Sequence, residues 1–327
     1  TTSIINNGFL RLNGPLAAVT SLVTNNIGVV QGTGRFPNGI NNSAGGTIRA
    51  SEGDYLLIQT PGLTNSGNIE LLGGTVEYSS MLTNTATGFI SGRGVYRGSR
   101  TTPGAFGISN AGVMAFSAGH TDIYGDVLNT GAGKIIAAGG SVVTFYDDVV
   151  NNGSEIRTNV GSRSVFFGDV TGAGPFTGGG DVELNGDLRP GNSPANVNFG
   201  GNVDIGSTGG LIIELAGTTK GAGYDSLTIV GAASLSGTLA VSFLGGFVPA
   251  AGQVFEILTA AGGINGTFDV ANLSALGGGL YLDLIYEPTS VRLAIAGIPG
   301  DYNYDGHVDA ADYVLWRKTT PQSGPSL

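Results

Sequence analysis

Apolar and polar residues alternate along this chain in short runs. Gly67-Asn68-Ile69-Glu70-Leu71 and Gly74-Thr75-Val76-Glu77-Tyr78 each place every second side chain on one face, as half-buried strands do. The alternation is itself repeated. Between residues 124 and 172 one phrase occurs three times: Tyr124-Gly125-Asp126-Val127-Leu128-Asn129-Thr130-Gly131, then Tyr146-Asp147-Asp148-Val149-Val150-Asn151-Asn152-Gly153, then Phe167-Gly168-Asp169-Val170-Thr171-Gly172. Asp126, Asp148 and Asp169 are 22 and 21 residues apart. That is one turn of a solenoid, a coil that buries its apolar face only when a neighbour stacks on it.

A turn signal extends the pattern towards the N-terminus. Asn, followed within a few residues by Gly in most copies, appears at Asn6, Asn25-Asn26, Asn41-Asn42, Asn65, Asn84, Asn110, Asn129 and Asn151. The mean step is about 21 residues. Both residue types accept the positive φ of a sharp corner, and stacked Asn side chains can bond from rung to rung. Nine or so rungs at ~4.8 Å make a rod on the order of 40 Å long.

Near Asp181-Val182-Glu183-Leu184-Asn185-Gly186 the rhythm changes, and the rigid corner Leu188-Arg189-Pro190-Gly191-Asn192-Ser193-Pro194 leads into longer strands at 211–215, 226–230, 238–243, 254–258, 281–286 and 291–296. The expected organisation is three parts. Residues 1–187 form repeats of about 21 residues. Residues 188–297 form a β-rich C-terminal cap, as a continued coil or an antiparallel sandwich. Residues 298–327 form a tail.

Composition sharpens this picture. Gly is 59 of 327 residues while mean hydropathy is +0.19, so Gly punctuates strands and does not mark a disordered tract. Cysteine is absent, which excludes disulfides and thiolate metal sites. A net charge of −10 argues against a nucleic-acid partner, and no apolar run is long enough to span a bilayer. Thr1 already lies inside the repeat, so a mature or trimmed product is expected.

The segments Leu188-Arg189-Pro190-Gly191-Asn192-Ser193-Pro194, Ile213-Glu214-Leu215-Ala216-Gly217, Tyr224-Asp225-Ser226-Leu227, Leu235-Ser236-Gly237-Thr238-Leu239 and Gly266-Thr267-Phe268 resemble the end of bacterial surface proteins with autotransporter-associated β-strand repeats. The likeness covers roughly residues 60–297 and is specific only in its C-terminal half. It implies an exported β-solenoid, right-handed and usually without an assigned activity.

The tail carries the ligand spacing of an EF-hand-type loop. Asp301, Asn303 and Asp305 supply oxygens at positions 1, 3 and 5, and Gly306 permits the turn. His307 offers its backbone carbonyl, Asp309 acts through water, and Asp312 stands where an EF-hand carries Glu. Ca2+ is the expected cofactor, and a short helix follows from Asp309 to Lys318, with Val314 and Leu315 available to bury. The pattern resembles one half of a type I dockerin of the form found on planctomycete surface proteins. Such tails usually carry two loops and this chain carries one, a departure that counts against cohesin docking, and a cohesin-docked adaptor would need the second loop.

Two further constellations have a bland and a sharp reading. Asp126, Asp148 and Asp169 form either a solvated corner or an acid row for a second cation or a polysaccharide lyase, which would also need a base such as Arg157 or Arg163. Tyr55, Tyr78, Tyr96, Tyr124, Phe145, Tyr146, Phe166 and Phe167 form either wall stacking or a sugar-binding stripe.

The expected fold is all-β: a parallel β-solenoid with a β-rich C-terminal cap and a calcium-loop–helix tail. The expected role is non-enzymatic: an extracellular, cell-surface structural protein that assembles head-to-tail with copies of itself into a filament or surface layer. Ile4, Ile5, Phe9, Leu10 and Leu12 in the first rung are the expected interface, meeting the C-terminal region of the next subunit. The alternative is a β-helix module that binds or cleaves cell-surface polysaccharide.

Overall fold

The computed structural model describes residues 3–60, 62–98, 107–191 and 194–318. Asn192 and Ser193 of the predicted corner, and everything beyond Lys318, lie outside the described residues.

The chain forms a parallel β-solenoid. One sheet of 13 strands runs from Ser3–Asn6 to Val270–Leu273, every neighbour parallel to the next. Nine of its strands precede residue 187, as the repeat count predicts. Two more ladders complete each coil. Lys134–Ala138 pairs with the first half of Val113–Tyr124, and Val142–Phe145 pairs with its second half. The section therefore has three faces: face one is the 13-stranded sheet, and faces two and three follow it along each coil.

The period-2 alternation explains why the coils stack. On face one the inward position reads Val23, Ile40, Leu63, Leu82, Ile108, Val127, Val149, Val170, Leu188, Leu211 and Leu239, each in register with the next. All are buried, and they meet aliphatic and aromatic columns from the other faces. Phe145 stacks on Phe166 at 4.8 Å, and Phe176 on Phe199 at 4.5 Å. Each such pair adds about 0.5–1.5 kcal/mol beyond burial.

From Ile40 to Val149 the residue two after each aliphatic is Asn, on the same inner side at the end of the strand, and Asn6 and Asn26 take that place in the first rungs. There the side chains bond from rung to rung. Nδ2 of Asn6 donates to Oδ1 of Asn26, and the relay continues through Asn42, Asn65, Asn84, Asn110 and Asn129 to Asn151, with every bond between 2.7 and 2.9 Å. The ladder leaves no room for a side chain on the turn above it. A Cβ at Gly88 would stand 2.2 Å from Asn84 Oδ1, which accounts for the Gly that follows Asn in the sequence signal. Gly172 takes the next position in register, and Asn151 Nδ2 has no partner.

The ladder does not stop at residue 188. Val170–Gly172, Asp187–Pro190, Gly210–Leu215, Thr238–Phe243 and Val270–Leu273 carry face one onward, so the change of rhythm reflects longer coils. Among the described strands, antiparallel pairing occurs only at the end. Leu280–Tyr286 and Ser290–Gly297 form a hairpin, and the second strand also pairs antiparallel with Val254–Ala260. Leu282, Leu293 and Ile295 of this hairpin close the core.

Two core tyrosines break the apolar rule. Tyr78 and Tyr96 are fully buried and neither hydroxyl has a protein partner. Burial pushes both phenols well up, with a further push on Tyr96 from Tyr78. Removing an unpaired buried hydroxyl costs nothing, so Tyr96→Phe should change unfolding free energy by about 0–1 kcal/mol in the stabilising direction. A denaturant titration showing a loss above 1 kcal/mol would mean that the hydroxyl is bonded in solution.

Candidate functional site

The calcium-loop candidate sits on the C-terminal hairpin. Gly279 O accepts from Ile298 N, and Asp301 lies so close under Gly279 that a Cβ there would meet its Oδ2. Asp301 and Asp312 are 1% and 2% exposed. The loop turns as its spacing predicts: Gly306 has φ +91°, and Asp301 accepts the N–H groups of Asp305 and Gly306 at 3.2 and 2.9 Å. Asp312 accepts from Tyr302, Asn303 and Asp309. These backbone donors, that of Asp309 first, hold its carboxyl below the usual range.

Asn303 Oδ1 accepts from Asp305 N, Asp305 from His307 N, and Asp309 caps the helix Ala310–Lys318 through Ala311 N. The donors are all oxygens, which suits a hard cation. Among the described residues no three His, Cys, Asp or Glu side chains gather round a common point. The His307 side chain is exposed and takes no part in the loop's hydrogen bonds. Val314 and Leu315 of the helix are exposed.

The first-rung residues divide by the period-2 rule. Ile5 and Phe9 are both 61% exposed, while Ile4 and Leu10 are half-buried against the core and Leu12 is buried. Ser3–Asn6 pairs only with Leu22–Asn26 among the described strands.

The aspartate row lies along one corner and continues through Asp187. Each carboxylate accepts the backbone N–H of the next: Asp126 from Asp148, Asp148 from Asp169, Asp169 from Asp187, at 3.3, 2.9 and 3.0 Å. Those donors, with Arg189 beside Asp169 and Asp187, offset the repulsion of stacked charges. Arg163 pairs with Glu183, and Arg157 bonds Asn159. Neither faces the row as a lyase base would.

The aromatics split between inside and outside. Tyr78, Tyr96, Phe145 and Phe166 point inward; Tyr55, Tyr124, Tyr146 and Phe167 point outward. Outside, Tyr124 stacks on Tyr146 at 4.4 Å and 3°, Tyr146 on Phe167 at 5.6 Å and 12°, and Arg97 covers the other side of Tyr124. The inner ring faces are occupied by one another, so this row offers a sugar mainly edges.

Clefts among the described residues escaped the sequence reading, two of them lined by aspartate. One, of about 280 Å³, lies on face three between Arg163, Asp181, Glu183, Asn202, Asp204 and Ser234. Burial, then the Glu183 charge, raises the Asp204 carboxyl, and Arg163 opposes that. These positions come into register only once the coils are aligned, so no local motif announces them. The other cleft, of about 150 Å³, lies beside Arg189, Glu214 and Asp225. Asp225 is 1% exposed and accepts Ala195 N at 2.7 Å and Glu214 N at 2.9 Å, fastening the corner to the next coil.

Burial pushes the Asp225 carboxyl up to about 7, against the pull of the two N–H donors. A raised carboxyl is protonated in the folded chain at pH values where the unfolded chain has already released its proton. Its contribution to stability is therefore greatest at acidic pH and falls as pH rises towards 7. Asp225→Asn should reduce the drop in melting temperature between pH 5 and pH 8; equal drops in the two proteins would refute the assignment.

The fold defines a repeat protein, a parallel β-solenoid, and no described helix is long and apolar enough to cross a membrane. No protein-family model matches the chain, and no curated protein is significantly similar to it. The surface-protein and dockerin resemblances therefore stand on their motifs alone.

Proposed function

We propose that this chain is an extracellular structural element that joins copies of itself head-to-tail into a filament or surface layer, with calcium clamping its tail. One observation carries the reading: a single parallel ladder runs through 13 strands, and among the described residues its last strand, Val270–Leu273, pairs only with Thr238–Phe243. Val270 N and Ser274 N bond Gly237 O and Val241 O, so by alternation the N–H groups of Ala271 and Leu273 face the open edge. Ser3–Asn6 of a second copy has the same direction in the same sheet and brings the exposed Ile5 and Phe9. A contact of this kind is heterologous and propagates. The asparagine, aspartate and aromatic rows support a scaffold role, because their members bond along the axis. Calcium would be held by Asp301, Asn303, Asp305, the His307 carbonyl and Asp312, with Asp309 acting through water, and would fix the tail against the hairpin.

Electron microscopy and sedimentation of the purified chain, with calcium and with chelator, test this. Filaments are expected in calcium. Ala271→Pro, which removes an outward N–H while leaving the internal ladder bonded, should abolish them. Unassociated coils at every concentration in calcium would overturn the assembly reading.

The face-three cleft favours a second reading, a carbohydrate-binding or carbohydrate-cleaving surface module, since its acids, amide, guanidinium and hydroxyl suit sugar hydroxyls. Glycan-array binding or sugar release lost on Glu183→Ala would establish it.

A further inference from the structure

We infer that the cleft between the last coils and the C-terminal hairpin is a ligand site built to take a short, uncharged sugar chain. It is independent of the filament contact and of the face-three cleft.

A bulge opens the cleft. Val254–Ala260 pairs parallel with Ser226–Ile229 on one side and antiparallel with Ser290–Gly297 on the other. Against the hairpin its register slips at Ile257: Glu256 faces Arg292, while Leu258 already faces Val291. Ile257 and Leu258 both turn into the core, so Glu256 and Thr259 are spread apart on the outer surface. The hairpin turn at residues 287–290 forms the far wall. It is tied to the coil by Ala260 N donating to Thr289 O and Ile264 N to Pro288 O. The space is about 420 Å³, larger than either cleft described above and within the ~300–1,000 Å³ range of small-molecule sites.

The walls select the occupant. One carries a chain of ion pairs. Ser290 Oγ donates to Glu287 Oε2 at 2.7 Å, Arg292 lies 3.1 Å from the same oxygen and 3.9 Å from Glu256, and Lys220 lies 3.1 Å from Glu256. Two carboxylates and two cations cancel, so no net charge draws in an ionised ligand. Carboxylate and guanidinium side by side still offer an acceptor and a donor to hydroxyl groups. The remaining walls add the hydroxyls of Thr228 and Thr259, adjacent in register, and that of the exposed Thr289. Apolar surface lies at the rim, where Val230 is 65% exposed and Ala261 is exposed as well. Among the described residues that line the cleft none is aromatic, so a planar base has no ring to stack on. Donors and acceptors interspersed with aliphatic patches suit a saturated ring bearing hydroxyls, such as a hexose unit.

Calorimetric titration of the full chain with the tetrasaccharides of glucose, mannose and galactose, and with tetragalacturonate as the charged control, tests the assignment. At least one neutral probe should bind with a Kd below about 1 mM, and tetragalacturonate about tenfold more weakly. Val230→Asp should weaken the neutral probe at least about tenfold, and Thr289→Val about threefold. Both positions are exposed, so neither change disturbs the core. Glu287→Gln leaves the cleft with net positive charge and should shift the preference towards tetragalacturonate by about tenfold, an effect that shrinks in high salt. Glu183→Ala, in the face-three cleft, should leave binding unchanged. No binding of any neutral probe at about 10 mM, or binding indifferent to Val230→Asp and Glu287→Gln, would overturn the inference. Binding lost only on Glu183→Ala would overturn it too, and would place the sugar on face three.

Discussion

Asn84→Ala is expected to lower the unfolding free energy by about 3–5 kcal/mol, read from urea or thermal unfolding. Asn84 sits mid-ladder and is fully buried. It accepts from Asn65 Nδ2 at 2.8 Å and donates to Asn110 Oδ1 at 2.7 Å, with longer bonds to Gly88 O and Val113 O. Truncation leaves a buried donor on one rung and a buried acceptor on the next, each costing about 1–3 kcal/mol, and a small void besides. Asn151→Ala breaks a single ladder bond and should cost about half as much. Equal losses at the two positions would show that the ladder does not act as a chain.

Asp301→Ala is the second large effect. Its carboxylate accepts two N–H groups inside the loop and lies against the hairpin turn at Gly279. Without it the loop loses both its internal turn and the oxygen that would contact a cation first. Calorimetric titration of the intact chain should give calcium binding in the wild type and none in the variant. Hydrogen exchange should show the amides of residues 301–312 losing protection while those of the strand Val127–Asn129 keep theirs. Heat from the variant equal to that of the wild type would place any bound calcium elsewhere. Unchanged protection would remove Asp301 from the docking of the loop.

The coil was legible because its signal is both local and repeated. Each strand needs only alternation, and each corner only Asn and Gly, so aligning Asp126, Asp148 and Asp169 was enough to set the period. The side chosen by each aromatic was harder. Tyr78 and Tyr124 look alike in sequence, and only their parity relative to a corner sends one inward and the other out. The fate of residues 188–297 depended on pairing between segments about 30 residues apart, where inserted loops blur the period. The clefts were least legible of all. Glu183 and Asp204 are ordinary outward residues until register brings them side by side, and Asp225 gives no sign in sequence that it is buried. For the tail loop, spacing gave the turn at Gly306, but it did not give the N–H partners that orient Asp305 and Asp309.

The asparagine ladder has a further consequence. Every amide in it points the same way, Nδ2 towards the C-terminal end, and backbone carbonyls such as Asn68 O, Lys134 O and Glu155 O hold that sense in place. The small dipoles therefore add, as peptide dipoles do along a helix, leaving partial negative charge near Asn6 and partial positive charge at Asn151 Nδ2. Coils joined head-to-tail would sum these vectors into an electrically directional fibre, which an applied field should orient, whereas antiparallel partners would cancel.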